Sequence, residues 1–488
     1  MPLIENPGDT ARVIQSARRS QRKWARRDIR SRTEVLRRLR RDIMEQRDAI
    51  VDDIRKDTAK TRVEALSSSL LPTLECLHYI ESRAAEVLRP QKRPTPPLYR
   101  STQSRVEYHP RGVVLVISPW NNPFQLCLLP VASALTSGNA IVLKPSEHCP
   151  TVARRVSDLL REAGYPEPLT PVCTGGPDVA RGLLEAKPDM IFFTGCVENG
   201  RDVLRAAARS LTPTVLELGG KDPMIVLPDA PMDRAVEGGL YGAFTHAGQH
   251  CVSTRRLYLH RDICQQFLDQ LSRRTEELAD TEQWGTVRFE QAAASARELV
   301  QDALSRGAEL LNPADPADAG FRPTLLRDVT HDMRIVRADL FAPVLISADF
   351  SSEDEALALA NDTPFGLNAS IWTGDREKGR RIARGLNCGN IFINNVLSNV
   401  GNPHLPFGGT KQSGLGRYHG PEGLRTFCRT TSVMARAPSE REEPNWFPHD
   451  EHSAALVDGL LRLRHEDMSF GRKILQGIRL ARLFWKGE

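Results

Sequence analysis

From residue 113 onward the chain alternates short apolar runs, rich in Val, Ile and Phe, with stretches whose apolar residues recur at helical spacing. Strands are expected over 113–117, 140–144, 190–193 and 215–218, with helices over 125–137, 151–163 and 198–209. A strand with no polar face must be covered on both sides, so this alternation implies a parallel sheet flanked by helices. Ligands bind such sheets beyond the carboxyl ends of the strands. A second alternation follows, with strands over 224–227 and 256–260 and helices over 232–246, 262–278 and 288–306. The expected fold class is therefore α/β, with more than one folding unit. Upstream, 33–89 reads as helical until Pro90, Pro94, Pro96 and Pro97 break the pattern.

Composition narrows the function classes. At 40% hydrophobic and 26% charged residues, with no run of about 18 apolar residues, the chain is neither mostly disordered nor a polytopic membrane protein. A net charge of +5, from 66 basic and 61 acidic residues, is too balanced for a nucleic-acid partner. The nine cysteines include no CxxC pair, which argues against a disulfide framework or a bound metal and for a reducing, cytoplasmic setting. Residues 1–10 carry no apolar signal region, and the arginine-rich 11–41 reads as a solvated helix face rather than a presequence. The last stretch, 437–488, is an acidic linker followed by a basic amphipathic helix. Ile474, Ile478, Ala481 and Trp485 share one face of it, with Arg479, Arg482 and Lys486 away from that face. Such a helix can lie in a membrane interface; docking on its own protein or on a neighbouring subunit is the preferred expectation.

Five segments carry candidate chemistry. Cys251 sits in Gly-Gln-His-Cys-Val, between a helix and a strand, where a thiol at an element boundary can act as a nucleophile. Cys76, Cys127, Cys149, Cys173, Cys264, Cys388 and Cys428 lie in contexts that suit small core residues. Glu217, in Leu-Glu-Leu-Gly-Gly-Lys, ends an apolar strand; it reads either as a carboxylate paired with Lys221 or as a general base in a cleft. The loop Pro-Trp-Asn-Asn-Pro-Phe (119–124) follows the first strand, and an Asn amide held there can donate to an oxyanion. Lys144 and Glu147, just past the second strand, suit ribose hydroxyls or form a solvated pair. Gly195 to Gly200 is a strand-to-helix turn able to hold a pyrophosphate.

Asn121, Lys144, Gly195, Glu217 and Cys251 occur in the order and approximate spacing of the aldehyde dehydrogenase superfamily, which the chain resembles from about residue 10 to 435. Asn-Asp-Thr-Pro-Phe-Gly-Leu (361–367), Pro-Phe-Gly-Gly-Thr-Lys-Gln-Ser-Gly-Leu-Gly-Arg (406–417) and Asp-Leu-Phe-Ala-Pro-Val (339–344) extend the likeness. The resemblance implies a Rossmann-like parallel-sheet cofactor domain (1–97 and 111–218), a second α/β catalytic domain (219–410) and a small β oligomerisation element (98–110 and 422–436), followed by the linker and tail. It implies NAD(P)+-dependent oxidation of a small-molecule aldehyde by a homodimer or homotetramer. Cys251 would attack the carbonyl. Asn121 and the Cys251 N–H would hold the thiohemiacetal oxyanion, hydride would pass to NAD(P)+, and Glu217 would activate the water that hydrolyses the thioester. Trp120, Lys144, Ser146, Glu147, Gly195, Cys196, Gly200, Leu218, Gly219, Asp339 and Phe341 match cofactor contacts, and Asn122, Phe124 and His250 match the substrate tunnel. Glu147 favours NAD over NADP, since it would repel a 2′-phosphate.

Three positions depart from the family pattern: Cys196 replaces a hydroxyl residue, Asp339 a glutamate and Ala342 a glycine. The last two imply a raised cofactor Michaelis constant with the chemistry intact. The segment from Cys251 to Asp339 is shorter than in common members. Two further readings are a silent scaffold homologue, against which Cys251, Glu217 and Asn121 argue, and a CoA-acylating variant, against which Glu217 argues.

Overall fold

Val113–Ile117, Ala140–Lys144 and Met190–Thr194 are buried at every position, so each needs a paired neighbour and a cover on both faces. The computed structural model, which describes residues 6–99, 101–281, 283–312, 321–438, 443, 445–447 and 449–485, provides both. One sheet runs in the order Gly414–Leu415, Thr214–Glu217, Met190–Thr194, Val113–Ile117, Ala140–Lys144. The last four are mutually parallel, and Gly414–Leu415 adds antiparallel, with Gly414 opposite Glu217. The helices Pro123–Thr136, Pro150–Glu162 and Val197–Ala208 fall within a residue or two of the expected bounds. The helix Pro177–Glu185 was not foreseen. The strand expected to reach Leu218 stops at Glu217, because the backbone N–H of Leu218 turns to the Ser413 carbonyl.

The second sheet has seven strands, in the order Asn390–Ile393, Asn368–Trp372, Asp222–Val226, Thr254–His260, Val344–Phe350, Thr324–Arg327, Glu309–Leu310. Only Glu309–Leu310 runs antiparallel to its neighbour. Met232–Phe244 and Cys264–Ala279 pack one face through Phe244, Phe267 and Leu271, while Ala356, Ala360 and Ile382 cover part of the other. The helix expected over 232–246 ends at Phe244, since His246 and Ala247 take left-handed φ angles of 52° and 51°. At the N-terminal end, Leu36, Leu39 and Ile43 of Ile29–Glu45 are fully buried, as a solvated amphipathic helix requires.

The chain divides into two units. The first comprises the residues through Val87 with Pro110–Arg429, and it contains both sheets. The second comprises Leu88–His109 and the chain from Thr430 onward. In the second unit, Gln91–Arg93 pairs antiparallel with Thr102–Pro110, which neighbours Cys428–Arg436. Residues 422–426, expected as part of an extended element, lie instead in the short helix Gly420–Thr426, opened by a Gly-Pro pair. The tail forms the helices Glu451–His465 and Phe470–Trp485, with Leu480 lying against Gly459. Part of the linker and Lys486 lie outside the described residues, as does the side chain of Trp485. The face bearing Ile474, Ile478 and Ala481 is the exposed one, and the face bearing Leu480 is packed. The helix thus docks on its own chain through Leu480.

Candidate active site

The carboxyl ends of the first sheet open onto a groove of about 1300 Å³. Trp120, Asn121, Lys144, Ser146, Glu147, Gly195, Cys196, Glu217, Leu218, Cys251, Asp339 and Phe341 all line it. Of the residues matched to cofactor contacts, Gly200 and Gly219 stand behind the wall, and Asn122, Phe124 and His250, matched to the substrate tunnel, are not among the residues that line this groove. A Cβ on Gly200 would meet the Leu218 side chain at 2.7 Å, and one on Gly219 would meet the Asp339 carboxyl at 2.9 Å. Both glycines therefore let wall residues sit close to the backbone.

Cys251 is delivered by a tightly tied loop. His246, Ala247 and Gly248 have consecutive left-handed φ angles, a conformation the first two adopt at a cost. The His246 N–H donates to the Glu64 carboxylate at 2.6 Å, and the Ala247 N–H to the Trp284 carbonyl at 2.5 Å. The Gln249 amide donates to the carbonyls of His246 at 3.0 Å and Thr286 at 2.9 Å, and its oxygen accepts the Arg288 N–H at 2.9 Å. The buried Arg255 guanidinium donates to the carbonyls of Ala342 and Gly248. On the opposite side the backbone must approach closely, since a Cβ on Gly220 would lie 2.4 Å from the Cys251 carbonyl oxygen. Burial, with Asp222 and Glu217 nearby, pushes the half-buried Cys251 thiol up to about 12. It is therefore protonated at rest.

Glu217 is 4% exposed, and neither carboxylate oxygen has a hydrogen-bond partner among the described residues. Burial raises its pKa well above the carboxylate range, with only Arg417 opposing. The expected pair with Lys221 does not form. The Gly219–Gly220 turn carries Lys221 to a buried place near Asp339, Arg255 and Arg256, where its ammonium is also unpartnered among the described residues and its pKa is driven well down. An unpaired buried carboxyl on a groove wall is set to exchange a proton with something that enters the groove. The Asn121 amide donates to the Gln249 carbonyl at 2.9 Å, so it is aimed at the loop that carries Cys251. A thiol, a free carboxyl and an amide donor on one groove can capture a carbonyl and then release it to water.

The rest of the groove suits a dinucleotide. Lys144 Nζ donates to Glu147 Oε2 at 2.8 Å. Burial works against ionisation of Glu147, but the Lys144 hydrogen bond and charge outweigh it and hold the carboxyl below its ordinary range. Cys196 occupies the N-cap of Val197–Ala208 without accepting a hydrogen bond, so the first N–H groups of that helix have no side-chain cap beside the groove. Uncapped N–H groups at a helix start fit a pyrophosphate. Gly195 is fixed by its N–H bond to the Glu217 carbonyl at 3.0 Å, which ties the turn to the strand bearing the carboxyl. Asp339 is turned toward Gly219, and burial raises its pKa against the pull of Lys221 and Arg255.

Sequence reasoning missed several lining groups. Phe289 meets Trp120 edge-on at 4.7 Å and His148 at 4.8 Å, closing one wall. Arg181 comes from the unforeseen helix, and Arg205 and Arg209 from the end of Val197–Ala208 and just beyond it. Lys60 was also missed. It is 2% exposed, burial lowers its pKa to about 7, and it donates to Ser68, Ser69 and the Asn122 side chain. No local motif marks these residues; a buried lysine 62 residues before Asn122 is a purely tertiary neighbour. Asn122 and Phe124 are buried and His250 is half-buried.

Comparison with known proteins agrees with this geometry. The model of the aldehyde dehydrogenase family matches residues 5–433. A 4,4'-diapolycopene aldehyde oxidase of Methylomonas sp. is 38% identical over 99% of this chain and 92% of its own length. A putative succinate-semialdehyde dehydrogenase [NADP(+)] of Mycolicibacterium smegmatis is 33% identical over 87% of this chain and 84% of its own. Among solved structures, a betaine aldehyde dehydrogenase from Staphylococcus aureus in complex with NAD+ superposes with a TM-score of 0.83 at 29% identity, covering 91% of this chain and 93% of that one.

Proposed function

Because the chain belongs to the aldehyde dehydrogenase family, we propose that it oxidises an aldehyde to the carboxylic acid through a covalent intermediate on Cys251, with NAD+ as its cofactor. The observation that carries this reading is the convergence of Cys251, Glu217 and Asn121 on one groove with the dinucleotide-matching residues.

The Cys251 thiol gives its proton to solvent water as its sulfur adds to the aldehyde carbonyl. The oxyanion so formed accepts hydrogen bonds from Asn121 Nδ2, which has a second N–H beyond the one given to Gln249, and from the Cys251 backbone N–H. When bound, NAD+ supplies the hydride acceptor. The acyl group is left as a thioester on Cys251. Glu217, with its raised proton affinity, takes a proton from the attacking water once it is ionised; hydrolysis releases the acid and restores the thiol. Trp120 packs against Phe289 and Phe341 in an apolar stretch of the groove wall, which limits water there.

Glu147, kept ionised by Lys144, accepts from a ribose hydroxyl and repels a 2′-phosphate, which favours NAD over NADP. The ratio of specificity constants for the two cofactors tests this, and a strong NADP preference would defeat it. The relative named for 4,4'-diapolycopene aldehyde matches 99% of this chain, so apolar aldehydes join aliphatic, aromatic and semialdehyde substrates in the panel to be assayed. The strands Thr102–Pro110 and Cys428–Arg436 are the surfaces through which a dimer or tetramer would assemble, read from the light-scattering mass. All nine cysteines are unpaired, which suits a reducing setting such as the cytoplasm. The decisive assay is NADH formation by Cys251→Ser. Loss is expected; unchanged NADH formation would overturn the assignment of Cys251 as the nucleophile, whereas a parent protein that forms no NADH from any aldehyde of the panel would return the chain to a scaffold role.

A further inference from the structure

The tail helix Phe470–Trp485 uses only one side of itself to pack. Leu480 is 4% exposed against Gly459 of Glu451–His465, and Gln476, Gly477 and Leu483 beside it are partly covered. At 100° per residue, Phe470, Ile474, Ile478 and Ala481 fall on an arc away from that contact. Phe470 is 81% exposed, and Ile474 and Ile478 are each 48% exposed. Water gains nothing from this arrangement, and the second helix offers Leu480, not the Ile474 arc, its cover.

The charge on the helix is one-sided. It carries Arg472, Lys473, Arg479 and Arg482 and no acidic residue. Arg479 and Arg482 flank the apolar arc on one side and Lys473 on the other, all close enough to reach past it. Trp446 and Phe447, in the segment leading to this hairpin, are also exposed. No helix among the described residues is long and apolar enough to cross a membrane. The tail lies beyond the 5–433 matched by the family model, yet the 38% identical relative matches 99% of the chain.

We propose that Phe470–Trp485 is a membrane-surface anchor, lying in the plane of an anionic bilayer with Phe470, Ile474 and Ile478 immersed and its arginines on lipid headgroups. A second copy of the helix is the poorer occupant, because two such faces would bring four uncompensated cations against four. An anionic lipid surface complements both the charge and the apolar arc. This goes beyond aldehyde oxidation, and lipid binding needs no turnover, so either reading can fail without the other.

The test is co-sedimentation of the full-length protein with phosphatidylcholine vesicles, with and without phosphatidylglycerol. The protein is expected to pellet with the anionic vesicles and to be released by salt. Ile474→Glu/Ile478→Glu and, separately, Arg479→Glu/Arg482→Glu are each expected to cut the bound fraction about tenfold or more. Both are expected to form NADH from a water-soluble aldehyde at the wild-type rate, which shows that the body has folded. A wild-type protein that stays in the supernatant overturns the proposal, as do charge-reversed variants that pellet like the wild type. A drop in light-scattering mass for Ile474→Glu/Ile478→Glu, with vesicle binding unchanged, assigns the face to a second copy and equally overturns it.

Discussion

Glu64 holds His246 in place: one carboxylate oxygen accepts the His246 backbone N–H at 2.6 Å and the Thr245 hydroxyl at 3.1 Å. The other oxygen closes a capping box with Thr61, so the carboxylate cannot swing away without undoing a helix start. Its partner is the first of two non-glycine residues with left-handed φ on the approach to Cys251, each worth on the order of 1–3 kcal/mol of strain. Removing the acceptor should let the kink relax and move the sulfur. Glu64→Ala is expected to lower kcat by about 10–100-fold, since a displacement of about 1 Å can cost that much. Glu64→Gln, which keeps one acceptor oxygen, should lose less. Steady-state kinetics of the two variants, with a thermal melt for each, separates this ordering from a general loss of fold.

Glu217 should matter to one half of the reaction only. Its carboxyl has no partner among the described residues, so replacing it by an amide removes a base without breaking a bond. Glu217→Gln is expected to give a burst of about one NADH per subunit, followed by turnover slowed by about 10²–10⁴-fold. Rapid-mixing absorbance reads both phases. No burst, or full steady turnover, would contradict a role in hydrolysis.

The resting thiol should be sluggish. Burial pushes Cys251 up to about 12, against an ordinary value of 9.0. A group with this raised value holds its proton through neutral pH and ionises only as the pH climbs toward 12. Iodoacetamide labelling of the Cys251 peptide, followed by mass spectrometry without cofactor, should therefore be roughly 10³-fold slower at pH 7–8 than for a free thiol. It should rise about tenfold per pH unit through pH 10. A plateau near pH 8 would show that the loop lowers the proton affinity of the sulfur instead.

The sheet carrying the groove was legible because its inner strands are buried on both faces and therefore apolar throughout, as in Val113–Ile117 and Met190–Thr194. Asn368–Trp372 is equally buried, yet it contains Asn368 and Ser370, which read as loop residues. Their side-chain oxygens find distant or local donors: Asn399 donates to Asn368 Oδ1, and the Trp372 indole to Ser370 Oγ. Satisfaction of that kind is invisible along the chain. The same holds for the site. Cys251, Glu217 and Asn121 announced themselves through glycine and proline spacing, because the backbone must turn sharply beside each. Lys60, Glu64 and Phe289 act through contacts made only after folding, and the Glu217–Lys221 pair failed because the Gly219–Gly220 turn separates two residues that are close in sequence.

The buried His246 and His419 and the half-buried His250 should make the folded chain sensitive to acid. Burial lowers His250 to about 3 and His419 to about 4, and drives His246 well below the ordinary 6.5. Between the folded and unfolded values, the unfolded chain binds more protons than the folded one. The stability these groups support is thus whole above pH 6.5 and is lost as the pH falls toward 4 and 3. At pH 5 the difference is roughly 2 kcal/mol for each of His250 and His419. The melting temperature is expected to fall by several degrees between pH 7 and pH 5. His419 has a φ of 63° and packs its ring 4.2 Å from that of Tyr418. Asparagine does not titrate, so His419→Asn should melt lower at pH 7 and lose less than the parent on going to pH 5. Melting curves of both proteins across that range decide the matter, and parallel losses would remove His419 from the acid response.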